Sequence, residues 1–148
     1  MRSRGLLVFL ISLFLNFSLA RADFSGLWVG EGSLHQGDLR SFPCTAFLEF
    51  RHSAVELETI QGQFDCQKVR IRSLSKIVAI IDGRLYYKNQ LVGVIGVQDI
   101  FSSYWDFKAG WNHQFRLHRK DNFIRYFEQT TLADGREYYR IEAVLKLD

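Results

Sequence analysis

The chain has 148 residues, of which 47% are hydrophobic, 15% aromatic and 24% charged, with a single proline. That composition fits one folded domain and excludes a disordered chain, a collagen-like fibre or a repeat array. The formal charge is +3, but three of the nineteen basic residues (Arg2, Arg4 and Arg21) lie in the first 22 residues, which hold no acid; the rest of the chain is neutral and gives no ground for nucleic-acid binding.

Arg2 and Arg4 open the chain, residues 6–17 are almost wholly apolar, and Ala20-Arg21-Ala22 presents the small-x-small pattern that a signal peptidase reads. The apolar run is shorter than the ~20 residues a membrane span needs. Residues 1–22 are therefore expected to be a signal peptide cut before Asp23. Residues 23–148 are expected to be one exported domain, periplasmic or secreted, with no stable membrane insertion.

From Asp23 onward nothing recurs at helical spacing, and period-two alternation dominates. Strands are predicted near 24–32, 41–51, 54–60, 62–67, 69–73, 76–81, 84–88, 91–97, 100–108, 111–119, 122–131 and 136–147, some of them merging. Residues 42–50 put Cys44, Ala46 and Leu48 on one face. Asp82-Gly83, between Ile80-Ile81 and Leu85-Tyr87, reads as a two-residue hairpin turn. Residues 111–119 set Trp111, His113, Phe115 and Leu117 opposite Asn112, Gln114, Arg116 and His118. Asp121-Asn122 and Asp134-Gly135 separate the last strands, and the final one alternates Tyr139, Ile141, Ala143, Leu145 and Leu147 with Arg140, Glu142 and Lys146. One buried face and one wet face mark an antiparallel sheet. Sequential hairpins give an all-β, up-and-down meander, and closing it into a barrel of about eight to ten strands removes its edges.

Cys44 and Cys66 are the only cysteines, and in an exported domain an even pair reads as a structural disulfide. A hairpin turning at residues 52 and 53 would put Cys44 opposite residue 61. The bridge then needs a bulge or bend, with Gly62 the obvious place, or else Cys44 lies in a flap outside the ladder.

The segment Phe24-Ser25-Gly26-Leu27-Trp28-Val29-Gly30-Glu31-Gly32 is the most distinctive in the chain. Its Gly26-x-Trp28 resembles the opening strand of calycin-type barrels, which include lipocalins and fatty-acid-binding proteins. The longer Gly26-x-Trp28-x-Gly30-x-Gly32 is similar to the opening of nitrobindin-type barrels. The resemblance implies a closed barrel whose Trp28 plugs one end against an arginine from a late strand, for which Arg125 and Arg140 are the candidates. Gly26, Gly30 and Gly32 would serve a structural role, allowing a strongly coiled first strand. Nitrobindin-type proteins hold haem with a histidine on the final strand; here that region reads Tyr138-Tyr139-Arg140-Ile141-Glu142-Ala143, so no cofactor is expected.

Aromatic residues crowd the middle third of the chain. Tyr87, Phe101, Trp105, Trp111 and Phe115, with Tyr139 on the last strand, are the candidate lining of an interior ligand site, and alternation assigns Phe107 to the same faces. The same rings could instead fill a solid core. No metal motif, nucleophile elbow or phosphate loop is present, and Glu56 and Glu58 read as surface carboxylates. The expected function is a non-enzymatic, exported β-barrel that binds a small, largely apolar molecule. The competing expectation is an envelope or secreted interaction module, such as a hydrolase inhibitor, with a filled barrel and an unidentified protein partner.

Overall fold

The computed structural model describes residues 21–37, 40–73 and 75–148. The leader expected over residues 1–22 lies, as far as residue 20, outside the described residues. Eleven strands follow one another: β1 (Gly26–Gln36), β2 (Arg40–His52), β3 (Glu56–Cys66), β4 (Val69–Ser73), β5 (Lys76–Ile81), β6 (Arg84–Tyr87), β7 (Gln90–Ile95), β8 (Asp99–Asp106), β9 (Trp111–Lys120), β10 (Phe123–Leu132) and β11 (Glu137–Leu147). Each pairs antiparallel with its chain neighbour, apart from the β4–β5 step, and β1 also pairs with β11, so the meander closes into a barrel. Residues 62–66 of β3 pair with β4 and residues 56–59 of the same strand pair with β5. β4 and β5 are thus two halves of one broken strand, and the closed ring has ten members.

Asp82 and Gly83 both have positive φ, 50° and 75°, as the predicted hairpin turn requires. Lys88 and Asn89 repeat that geometry at 50° and 64°. Turns alternate between the barrel's two ends: residues 53–55, 82–83, 96–98 and 121–122 at one, and residues 67–68, 88–89, 107–110 and 133–136 at the other.

The first of these ends is closed by the segment preceding β1. The Ala22 N–H donates to the Val97 carbonyl at 2.6 Å, and fully buried Phe24 meets the His52 ring edge-on at 5.8 Å. Trp28, also fully buried, donates its indole N–H to the Phe24 carbonyl at 2.9 Å. The Arg119 guanidinium from β9 lies 5.4 Å from the Trp28 ring centroid. Arg119, rather than Arg125 or Arg140, is therefore the cation beside the tryptophan. Arg125 lies between buried Ile124 and Tyr126 and points out, while Arg140 reaches Glu137 and Glu142. A Cβ at Gly30 would stand 2.1 Å from the Val144 carbonyl oxygen, and one at Gly32 would stand 2.3 Å from that of Glu142. These two positions let β1 lie against β11 more closely than any side chain allows.

Cys44 and Cys66 are joined by a disulfide. The β2–β3 ladder pairs His52 with Leu57 and Thr45 with Asp65, which brings Cys44 alongside Cys66 within the ladder. The connection between the strands is longer than a turn at residues 52 and 53. The one register shift falls between Glu49 and Phe50, not at Gly62. Gly62 instead gives way to Leu48, whose Cδ2 would lie 2.6 Å from a Cβ there.

Buried side chains from nearly every strand fill the barrel, and fully buried Leu34 and Ile141, in ladder register with Glu128, carry the packing beyond the closed end. At mid-height Phe64 of β3 meets Tyr126 of β10 with ring centroids 5.0 Å apart, and Phe115 abuts Tyr126 edge-on at 5.5 Å. β2, β1 and β11 separate β3 from β10 around the wall, so the Phe64–Tyr126 contact spans the interior and forms a floor.

Candidate functional site

Above that floor, towards the second end, the inward positions become polar. On β10 the alternation Ile124, Tyr126, Glu128, Thr130 continues the buried face of the strand into a carboxylate and a hydroxyl. β9 contributes His113 and Phe115, which pair across the ladder with Thr130 and Glu128. β8 contributes Tyr104, opposite His113; β11 contributes Tyr139, opposite Thr130. Lys76 enters from the start of β5, and Tyr87 from the end of β6.

The hydroxyls of Tyr126 and Tyr139 both donate to the Glu128 carboxylate. Burial is the main force raising the Tyr139 phenol above its ordinary range, and the Glu128 charge adds to it. The same two causes raise Tyr126. Both rings therefore remain protonated and keep donating across the physiological range. Thr130 is fully buried, and its Oγ1 lies 2.9 Å from Nδ1 of His113. The His113 ring stacks on Tyr104 at 5.1 Å. Lys76 Nζ donates to the Tyr104 hydroxyl at 3.2 Å and sits 4.7 Å and 5.2 Å from the Tyr104 and Tyr87 ring centroids. One stretch of the inner wall thus carries an acid held by two phenols, a cation held by two rings, and an imidazole beside them. It can donate and accept hydrogen bonds while offering aromatic faces to an apolar body.

His113 titrates below its usual range, because burial disfavours the imidazolium and Lys76 adds repulsion, against the attraction of Glu128 and Asp106. A histidine with a depressed native pKa binds fewer protons folded than unfolded. Stability from it is full above the unfolded value of 6.5 and is lost as the pH falls from there towards the native pKa. His52, depressed chiefly by burial, acts in the same direction. Urea midpoints should therefore fall as the pH drops through 6.5, and the fall should be shallower in His113→Gln. An unchanged slope in that variant would remove His113 from the account.

Of the predicted lining, the structure brings Tyr87, Trp111, Phe115 and Tyr139 to the inner side. Trp111 sits at the rim, stacked on Tyr138 at 5.2 Å. Phe101 and Trp105 do not join them. Fully buried Ile100 sets the inward parity of β8, so both face outward, and the Arg116 guanidinium lies 5.4 Å from the Phe101 ring centroid. Phe107 is 82% exposed in the 107–110 turn. Lys76, Tyr104, Glu128 and Thr130 escaped the sequence reading, although period two alone places Glu128 and Thr130 on the face of Ile124 and Tyr126. Among the described residues no three His, Cys, Asp or Glu side chains converge as a metal site requires. A shallow cleft of about 310 Å³, lined by Ala22, Asp23, Val97, Gln98, Arg119 and Asp121, lies at the closed end, away from this cluster.

No family model matches the chain, and no curated protein matches its sequence. Solved structures do resemble it. A protein of unknown function from the DUF3598 family of Nostoc punctiforme superposes with a TM-score of 0.60 at 11% identity, over 85% of this chain and 48% of that one. The chain therefore spans about half the length of that neighbour. The S-type phycobiliprotein lyase CPES from Guillardia theta superposes with a TM-score of 0.52 at 8% identity, over 84% of this chain and 88% of that one. At such identities the likeness establishes a shared barrel fold and nothing further.

Proposed function

We propose that the protein is an exported, non-enzymatic barrel that holds a small, largely apolar molecule in the upper half of its interior. The observation that carries this reading is the inward polar cluster of Glu128, Tyr126, Tyr139, Thr130, His113, Tyr104 and Lys76. These groups satisfy one another, yet Glu128 and Lys76 bring charge to the inner wall, which self-packing does not require and a ligand's polar group can use. The ligand's apolar body lies against Phe115, Trp111, Tyr87 and Tyr104, and its polar group meets Glu128 or Lys76. The likeness in fold to a phycobiliprotein lyase supports a barrel of the ligand-holding type. The export part of this reading rests on the leader sequence and the disulfide.

Native mass spectrometry of the purified protein tests it. A bound small molecule should appear and be released on denaturation, and aminoanthracene should fluoresce on addition to the stripped protein. Glu128→Gln keeps the shape and removes the charge, so it should weaken retention about tenfold, the worth of one charge-assisted hydrogen bond. A bare chain that also leaves the probe dark would sink the reading. It would favour the interaction module instead, in line with the Phe64–Tyr126 contact that already spans the interior.

A further inference from the structure

Among the described residues β4 has β3 as its sole sheet neighbour. β5 continues the same row further down and has β6 on its other side, but no strand covers β4 in that way. The two-residue turn Gln67-Lys68 makes Cys66 and Val69 a hydrogen-bonded closing pair, and antiparallel bonding then skips alternate residues. Arg70 and Arg72 therefore aim their N–H and C=O groups away from β3, and no other backbone group among the described residues meets them. The inner face shows the same gap. Phe64 and Cys66 of β3 are fully buried, whereas Ile71 and Val69, in register beside them, are only partly covered. On the outer face Lys68, Arg70 and Arg72 form a basic stripe with one acid in it, Asp65, which is held by Arg70 and Gln63. Lys68 and Arg72 form no ion pair among the described residues. Glu56 and Glu58 lie further down β3, beside β5, and Arg51 holds Glu58.

We infer that β4 takes up an extended peptide from another protein as a further strand of the sheet, one that alternates acidic and apolar residues. This interaction surface is independent of the interior site. The backbone groups of Arg70 and Arg72 supply the hydrogen bonds, as in other sheets completed by an added strand. Period two then fixes the guest's side chains. Those on the outer face lie beside Arg70 and Arg72, and those on the inner face cover Val69 and Ile71. A second copy of the chain fits poorly. Two β4 edges meeting about a two-fold axis at Ile71 set Arg70 against Arg72 in both halves, and like charges directly opposite destabilise a pair. Cations on a bare edge discourage indiscriminate pairing, and an acidic strand is the guest they favour.

Fluorescence anisotropy of a labelled, end-blocked peptide of alternating glutamate and valine tests the assignment, with lysine in place of glutamate as the control. The glutamate peptide should bind and be released by high salt, and the lysine peptide should not bind. Arg72→Gln should weaken binding about threefold, the worth of one exposed ion pair. Arg72→Pro removes the outward N–H yet keeps the bonds of β4 to β3. It should abolish binding while the urea midpoint stays near that of the parent. Amide exchange supplies the second readout. The Arg70 and Arg72 amides should exchange freely in the unbound protein and become protected in the complex, whereas Ile71 is protected in both. Failure of the glutamate peptide to bind, or equal binding of the lysine peptide, would overturn the inference. So would Arg70 and Arg72 amides already protected without peptide, because the edge would then be covered. Self-association lost in Arg72→Pro would also overturn it, by giving the edge to a second copy.

Discussion

Trp28→Ala should lower the unfolding free energy by about 3–5 kcal/mol, a large share of the stability of a domain this size. The side chain is fully buried, its indole N–H is held by the Phe24 carbonyl, and the Arg119 guanidinium lies beside the ring. Truncation opens a cavity at the closed end and leaves that carbonyl without its donor. Trp111 provides the control. It stands at the open rim, half-buried, with Tyr138 stacked on it and His113 at its edge. Fewer atoms close around it, so Trp111→Ala should cost only about 1 kcal/mol in the absence of ligand. Denaturant unfolding of the two variants makes the comparison. Equal and severe losses would mean that the open half is packed as tightly as the closed one. A small loss at Trp28 would mean that the closed end does not depend on its plug.

Loss of the Cys44–Cys66 bridge should cost about 3 kcal/mol, the loop-closure entropy regained by the unfolded chain for a separation of 22 residues. The double variant Cys44→Ala/Cys66→Ala isolates the effect, since alanine leaves the β2–β3 ladder intact. Its urea midpoint should fall while the slope of the transition rises, because the unfolded chain becomes less compact. Thiol labelling of the unreduced, unfolded parent protein completes the test. Two reactive thiols per chain would show that the bridge does not form.

Most of the barrel was legible from period-two alternation and turn chemistry. The hairpin at Asp82-Gly83 is the clearest case, because that dipeptide takes positive φ at little cost. The cysteine register was not legible, since it depends on two quantities that alternation does not encode: the length of the 53–55 connection and the position of a bulge. Each displaces the partner of Cys44, and together they move it from residue 61 to Cys66. The outward placement of Phe101 and Trp105 was obscured by Ile100-Phe101, two adjacent apolar residues that leave the parity of β8 ambiguous. The burial of Ile100 decides it. In the candidate site, Glu128 and Thr130 could be read from parity with Ile124 and Tyr126. Lys76 could not, because Tyr104 stands three strands away on β8 and meets it only through the curvature of the wall.

The pairing of β1 with β11 joins Trp28 to Leu147, nearly the two extremes of the domain. A chain synthesised from its amino terminus exposes β1 first, yet that strand gains its second neighbour only after β11 has been made. Until then one edge of β1 stands open, and the glycines on its inner face offer little side-chain bulk to discourage a stray strand from pairing there. Sequence separation this large also makes the closing step late and slow. The vulnerable interval in the life of this protein is therefore its synthesis, when the absence of even the final strand leaves a ten-membered ring as an open, adhesive sheet.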